Sequence, residues 1–218
     1  MRAICWALAV VTCGVLTSSA IGQEQADDAS FKSLFDGKSL AGWHGDTDGY
    51  VVEDGAIVCV PEKGRLLYTD QEYGDFVLRF EFKLTPGANN GLGVRTAKDA
   101  NPAYAGIELQ ILDDTSEKYK DLQPYQYHGS VYGVVPAERG HLKPVGQWNQ
   151  QKVRLQGTRI TVILNGVTIV DADLEKASTP QTMDGKEHPG LLREKGYLAL
   201  CGHGSRVDFR NLRIKELD

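Results

Sequence analysis

The sequence predicts an all-β protein, a jelly-roll sandwich of two antiparallel sheets. Three observations carry that reading. Phe76–Leu84 alternates without a fault, with Phe76, Leu78, Phe80, Phe82 and Leu84 on one face and Val77, Arg79, Glu81 and Lys83 on the other. A period of two marks a strand with one buried face. Similar segments recur along the chain between turn formers such as Asp54-Gly55 and Asn165-Gly166, the strongest short hairpin signals. No stretch carries a convincing helical period, so short helical turns fit only in the loops. Many short strands joined by Gly-rich turns build a sandwich or jelly roll.

Taken in order, residues 1–22 read as a signal peptide. Arg2 gives a positive start, Ile4–Leu16 is apolar, and small residues stand around Ala20 and Gly22. The run is too short to span a bilayer and no stop-transfer segment follows, so the chain is expected to be secreted or periplasmic with no membrane span. Residues 23–30 are a polar tether, and residues 31–218 are long enough for one domain. In FKSLFDGKSLAGW, Phe35 and Trp43 anchor the first loop, and His44-Gly45-Asp46 continues it. Tyr50–Val60 reads as a hairpin and Arg65–Thr69 as a short strand. After Phe76–Leu84 and the turn TPGANNG come strands at Gly91–Thr96 and Gly106–Leu112. Residues 114–147 form a long irregular region around a short strand at Ser130–Val134. Trp148–Gln156, Arg159–Leu164 and Val167–Asp171 make a meander, residues 172–195 a second long loop, and Gly196–Cys201 and Val207–Lys215 the last strands.

The formal net charge is −5. It becomes −6 without the signal, which holds Arg2 and no acid. No basic run occurs, which argues against a nucleic-acid partner, because phosphate binding needs clustered Lys and Arg. Two of the four cysteines remain after processing, Cys59 and Cys201. An oxidising compartment permits a disulfide between them, and two separate buried thiols are the alternative.

Candidate functional residues gather on two strands. Gly91, Gly93 and Arg95 share the face opposite Leu92 and Val94; Glu108 and Gln110 share the face opposite Ile107, Leu109 and Ile111. Neighbouring strands would then present a guanidinium, a carboxylate and an amide together, or merely a cross-strand Arg95–Glu108 ion pair. Asp113 and Asp114 close the run at the rim. The long loop supplies Tyr119, Tyr125, Tyr127, His128 and Tyr132. These either pack the loop on the sheet or form an aromatic and hydroxyl rim suited to a sugar, whose C–H faces stack on rings while its hydroxyls take hydrogen bonds.

These segments, from FKSLFDGKSLAGW through LLYTDQEYGDFVLRFEFKL, PGANNGLGVRT, GIELQILDD, GSVYGVV, KPVGQWNQQKVRLQG and ITVILNGVTIVD to GYLALCGHG and VDFRNLRIKEL, together resemble the 3-keto-disaccharide hydrolases, also called 3-keto-glucoside lyase/hydratases. The resemblance runs from about Phe31 to Leu217. It implies a concanavalin A-like jelly roll. The family's NSG…R element falls on Asn89, Asn90, Gly91 and Arg95, with Asn90 where Ser is usual. Its YExQ(I/L)LD element falls on Ile107, Glu108, Gln110, Ile111, Leu112 and Asp113, with Ile107 in place of Tyr. Its LQDHG falls on Leu200–Gly204, with Cys201 for Gln and Gly202 for Asp.

The resemblance implies cleavage of a glycosidic bond next to a ketone at sugar carbon 3, by elimination and hydration or by hydrolysis. Such a reaction asks for a base, for which Glu108 and His203 are candidates. It also asks for a holder of the enolate oxygen, for which Arg95 or a bound divalent cation would serve. Glu108, Gln110, Asp113 and His203 are the candidate metal ligands. Asn90, Gln110, Asp113, Tyr132 and His128 are candidate contacts to an oligosaccharide or glycoside. The rival is a non-catalytic, lectin-like carbohydrate-binding module, since the jelly roll serves both. No Gly-x-Ser-x-Gly element points to a serine nucleophile.

Overall fold

Alternation sets the layers of this fold. In the computed structural model, which describes residues 30–218, Phe76, Leu78, Phe80, Phe82 and Leu84 are all buried while the four residues between them are half-exposed. The expected signal peptide and almost all of the tether lie outside the described residues. Ser33–Asp218 form one compact unit.

The strands are β1 (Lys32–Ser33), β2 (Trp43–Gly45), β3 (Tyr50–Glu53), β4 (Ala56–Cys59), β5 (Leu66–Tyr73), β6 (Phe76–Leu84), β7 (Asn89–Thr96), β8 (Ile107–Leu112), β9 (Trp148–Gln156), β10 (Arg159–Leu164), β11 (Val167–Asp173), β12 (Gly196–Gly202) and β13 (Val207–Glu216). They pair antiparallel in two sheets. One runs in the order β11-β10-β9-β6-β13-β4-β3, the other β2-β5-β12-β7-β8. The core lies between them, where Phe76, Phe80, Phe82 and Phe209 of the first sheet meet Leu67, Leu92, Leu109, Ile111 and Leu200 of the second. The predicted all-β jelly-roll sandwich of two antiparallel sheets is thus the fold found.

Several local expectations change. A strand at Trp43–Gly45 replaces the expected loop, because Trp43 is buried with its indole N–H on the Leu34 carbonyl, which holds the chain against β5. β5 runs on to Tyr73. Among the described residues two four-residue α-helices occur, α1 (Pro102–Ala105) and α2 (Leu174–Ala177), capped by the side chains of Asn101 and Asp173, in keeping with the preference for Asn and Asp at that position. Ser130–Val134 forms only isolated bridges, Leu109 with Val131 and Val131 with Val135.

β8 is an edge of its sheet, yet its outer side is not bare. The Gln110 N–H donates to the Ser130 carbonyl, and Gly129 and Tyr132 donate to the carbonyls of Gln110 and Glu108 at 2.8 and 2.9 Å. The loop thereby stands in for a further strand, satisfying ladder groups that would otherwise be exposed.

Candidate active site

The outer face of the five-stranded sheet carries two rows of residues fixed by strand register. Glu108 lies opposite Gly93, Gly93 opposite Ala199, and Ala199 opposite Tyr68; Gln110, Gly91, Cys201 and Leu66 make the neighbouring row. Glu108 leans across β7 above Gly91, where any Cβ would overlap its carboxylate. Glycine at 91 is therefore what lets this acid lie flat on the sheet.

Glu108 is 5% exposed. Its Oε1 stands 3.4 Å from Nε2 of His203, an exposed residue just after β12. The pair borders two cavities. One, of about 310 Å³, is lined by Asn89, Asn101, Tyr104, Gln110, Gln126 and Tyr132 among others. The second, of about 590 Å³, shares Asn101, Glu108 and His203 with it and continues over Leu66, Tyr68, Pro102 and Cys201. Tyr132 accepts a hydrogen bond from the Gln126 amide at 3.0 Å, which leaves its own proton for a ligand oxygen. The Asn89 side-chain oxygen is buried without a partner. Cys201 is buried, and burial together with the nearby Glu108 charge pushes its thiol well above the ordinary range, so it is neutral at pH 7. Tyr104 is held from behind: its hydroxyl meets Lys186 at 3.1 Å and its ring packs on His188, whose Nδ1 reaches the Ala103 carbonyl at 2.8 Å.

Of the residues expected at the site, Glu108, His203, Gln110 and Tyr132 come together. Arg95 does not join them. Where β7 pairs with β12, Tyr197 lies opposite Thr96 and Ala199 opposite Gly93, so one extra residue is inserted in β7. Arg95 takes a φ of 47° there. Such a bulge re-aims a side chain. The guanidinium donates to the carbonyls of Gly74, Gly157 and Arg193 at 2.8–3.0 Å and pairs with Asp75 at 2.5 Å. It is a staple for three loops, neither an oxyanion holder nor a partner of Glu108.

Asn90, opposite Ile111 and Gly202, is fully buried beside Cys59, and Asn89, one residue earlier, is the amide that reaches the cavity. His128 is buried against Phe82, its ring centroid 5.0 Å away, with Nδ1 accepting from the Leu112 N–H and Nε2 facing Gln151. Burial lowers its pKa to about 4, so it is neutral and belongs to the core, with no place at the substrate. Asp113 accepts from the Gly87 N–H and from the N–H and hydroxyl of Thr115, which makes it a turn cap. Cys59 and Cys201 are both free thiols. Alternation explains this: a Cβ on Gly202 would point at the Cys59 sulfur, so Cys201, its neighbour on β12, points to the opposite face.

A resident divalent cation fits this donor set poorly. The smaller cavity offers one carboxylate, one imidazole and neutral amides, whereas hard cations take several oxygens, carboxylates prominent among them. Asp113 is engaged elsewhere, and among the described residues no three His, Cys, Asp or Glu side chains cluster as ligands. What the arrangement does offer is a buried base or acid, a second titratable group beside it, and hydroxyl and amide donors around a ring-sized space. Sequence reasoning missed Asn89, which counting back in twos from Gly91 would have found, and Asn101, Tyr104 and Gln126, residues outside the strands whose place at the pocket no spacing announces.

The chain is similar to several known proteins. A 3-keto-disaccharide hydrolase of Bacteroides thetaiotaomicron is 25% identical over 90% of this chain and 81% of its own length. Two crystal structures from Parabacteroides distasonis ATCC 8503, each described as a candidate glycosyl hydrolase, superpose with TM-scores of 0.75 and 0.75. The first is 32% identical and covers 86% of this chain and 99% of its own; the second is 27% identical and covers 89% and 97%. The family model for the 3-keto-alpha-glucoside-1,2-lyase-like domain matches residues 30–215, and the chain belongs to that family.

Proposed function

We propose that this protein cleaves the glycosidic bond of 3-keto-glycosides by elimination and hydration, with Glu108 as the base. The observation that carries the reading is one buried carboxylate at the junction of two cavities, with an imidazole 3.4 Å away. Ordinary glycoside hydrolysis uses two carboxylates flanking the bond. Glu81, an acid on β6, belongs to the opposite sheet and is bound to Arg210 at 2.7 Å. A ketone at carbon 3 removes the need for a second carboxylate, because it acidifies the proton on carbon 2. The name of the Bacteroides relative, a 3-keto-disaccharide hydrolase, supports the same substrate class.

In this scheme the Glu108 carboxylate takes the carbon 2 proton, and the C–H electron pair passes into the enolate. Tyr132 and the Gln110 amide donate hydrogen bonds to the developing oxyanion. The enolate then collapses to a carbon 1–carbon 2 double bond and expels the carbon 1 oxygen, which takes a proton from His203. Water adds its oxygen to carbon 1 and gives a proton to His203, which restores the acid, while carbon 2 regains a proton from Glu108, giving the free 3-keto sugar; the net change is hydrolysis. We propose further that the protein is exported, because Arg2 and the apolar Ile4–Leu16 precede a small-residue cleavage context. N-terminal sequencing of the natural product should begin near residue 23, and a retained Met1 would refute export by cleavage.

The test of the chemistry is Glu108→Gln. The change is nearly isosteric and breaks only the long bond to His203. It is expected to leave the melting temperature nearly unchanged and lower kcat/KM on a 3-keto-glucoside about a hundredfold or more. Full activity, or a matching loss of folding, would remove Glu108 from the mechanism and favour the lectin-like alternative.

A further inference from the structure

The second cavity has a chemical character of its own, and its assignment rests on the cleavage reading above. We infer that it holds the leaving group, and that it selects aglycones with an apolar, ring-sized body over a second sugar.

The reasoning starts from Glu108, the acid common to both cavities. The bond that breaks must lie beside this carboxylate, so the two halves of the substrate fall in the two spaces. The smaller space is ringed by Asn89, Gln110, Gln126 and Tyr132, which suit the hydroxyls of a sugar. The larger is floored by the row that strand register creates, in which Gly93 and Ala199, and Gly91 and Cys201, separate Glu108 and Gln110 from Tyr68 and Leu66. Tyr68, Ala199 and Cys201 pack as one apolar cluster with Leu66 and Tyr197.

That floor has few polar atoms left to offer. The Tyr68 hydroxyl already accepts from the Asp99 N–H at 3.2 Å and keeps only its own proton to give, and the neutral Cys201 thiol is turned to the Ala199 carbonyl at 3.7 Å. A hexose pressed there would lose water from several hydroxyls and find a single donor, the Tyr68 hydroxyl, in the floor, which is costly. A phenyl or cyclohexyl body would instead gain by leaving water. The volume, about 590 Å³, accommodates such a ring together with part of a linker. Asp46, Arg65 and Asp99 lie at the rim, where a solvated polar tail would emerge.

Calorimetric titration tests this with four 3-keto-glucosides carrying methyl, benzyl, cyclohexylmethyl or glucosyl at carbon 1. The protein is Glu108→Gln, so that the ligands survive, with and without Ala100→Trp, which adds bulk to the second cavity alone. Benzyl and cyclohexylmethyl ligands are expected to bind about tenfold or more tightly than methyl and glucosyl ones. Ala100→Trp should remove most of that advantage. Equal affinities for all four, tightest binding of the glucosyl ligand, or no binding of any would overturn the assignment, as would an advantage that Ala100→Trp leaves intact. Turnover by the unaltered protein separates the two ideas. An apolar preference in binding without cleavage of any of the four would sink the cleavage reading and retain the cavity as an apolar ring site.

Discussion

At the scale of single residues, burial decides what a titratable group can do. His128 and His203 are the same amino acid in opposite circumstances. His203 is exposed at the mouth of the pocket, whereas His128 is sealed against Phe82 and Gln151 with its pKa lowered to about 4. The unfolded chain protonates this group near 6.5. Between those values the unfolded state binds more protons, so stability rises with pH. The penalty is absent above about pH 6.5, grows as the pH falls and is complete below about 4, amounting to roughly 3 kcal/mol. Urea midpoints measured from pH 4 to 7 should show this slope, and His128→Gln should flatten it; an unchanged slope would assign the acid sensitivity elsewhere. Sequence alone placed His128 in a tyrosine-rich loop and so among the substrate contacts. Nothing in its neighbours reveals that the loop folds the ring into the core.

At the scale of elements, period two made most of the site legible and one inserted residue hid the rest. Glu108 and Gln110 stand on the face that alternation assigns, and Gly91 leaves room there that the Glu108 side chain fills. The rule fails one step later, where β7 gains a residue and Arg95 leaves the face on which counting put it. A bulge has no strong sequence mark here, since no glycine stands at the position with positive φ. The same parity argument exchanges Asn90 for Asn89. Arg95, fully engaged with three carbonyls and Asp75, predicts a distinct phenotype. Arg95→Met should lower unfolding free energy by about 3 kcal/mol, because it strips charged partners from buried acceptors. The kcat/KM of the folded protein should stay near its original value. A loss of turnover without a loss of stability would return Arg95 to the mechanism.

At the scale of the whole molecule, the fold was legible because alternation and hairpin turns recur over its full length, and such signals do not depend on distant contacts. The site was less so. It is assembled from β7, β8, β12, α1 and the loop through Tyr132, and the order β2-β5-β12-β7-β8 that joins them is a property of topology. The loop lying along β8 gives that assembly a particular mode of failure. The same few backbone bonds, from Gly129, Ser130 and Tyr132 to Gln110 and Glu108, place a pocket tyrosine and close the edge of the sheet. Peeling that segment away would spoil the pocket and uncover a strand able to recruit other molecules. Loss of activity on warming should therefore be a self-association process. Its rate should climb with protein concentration, with light scattering rising as activity falls and both beginning below the global melting transition. First-order inactivation at a concentration-independent rate, with no scattering, would mean that this segment is not where the molecule begins to fail.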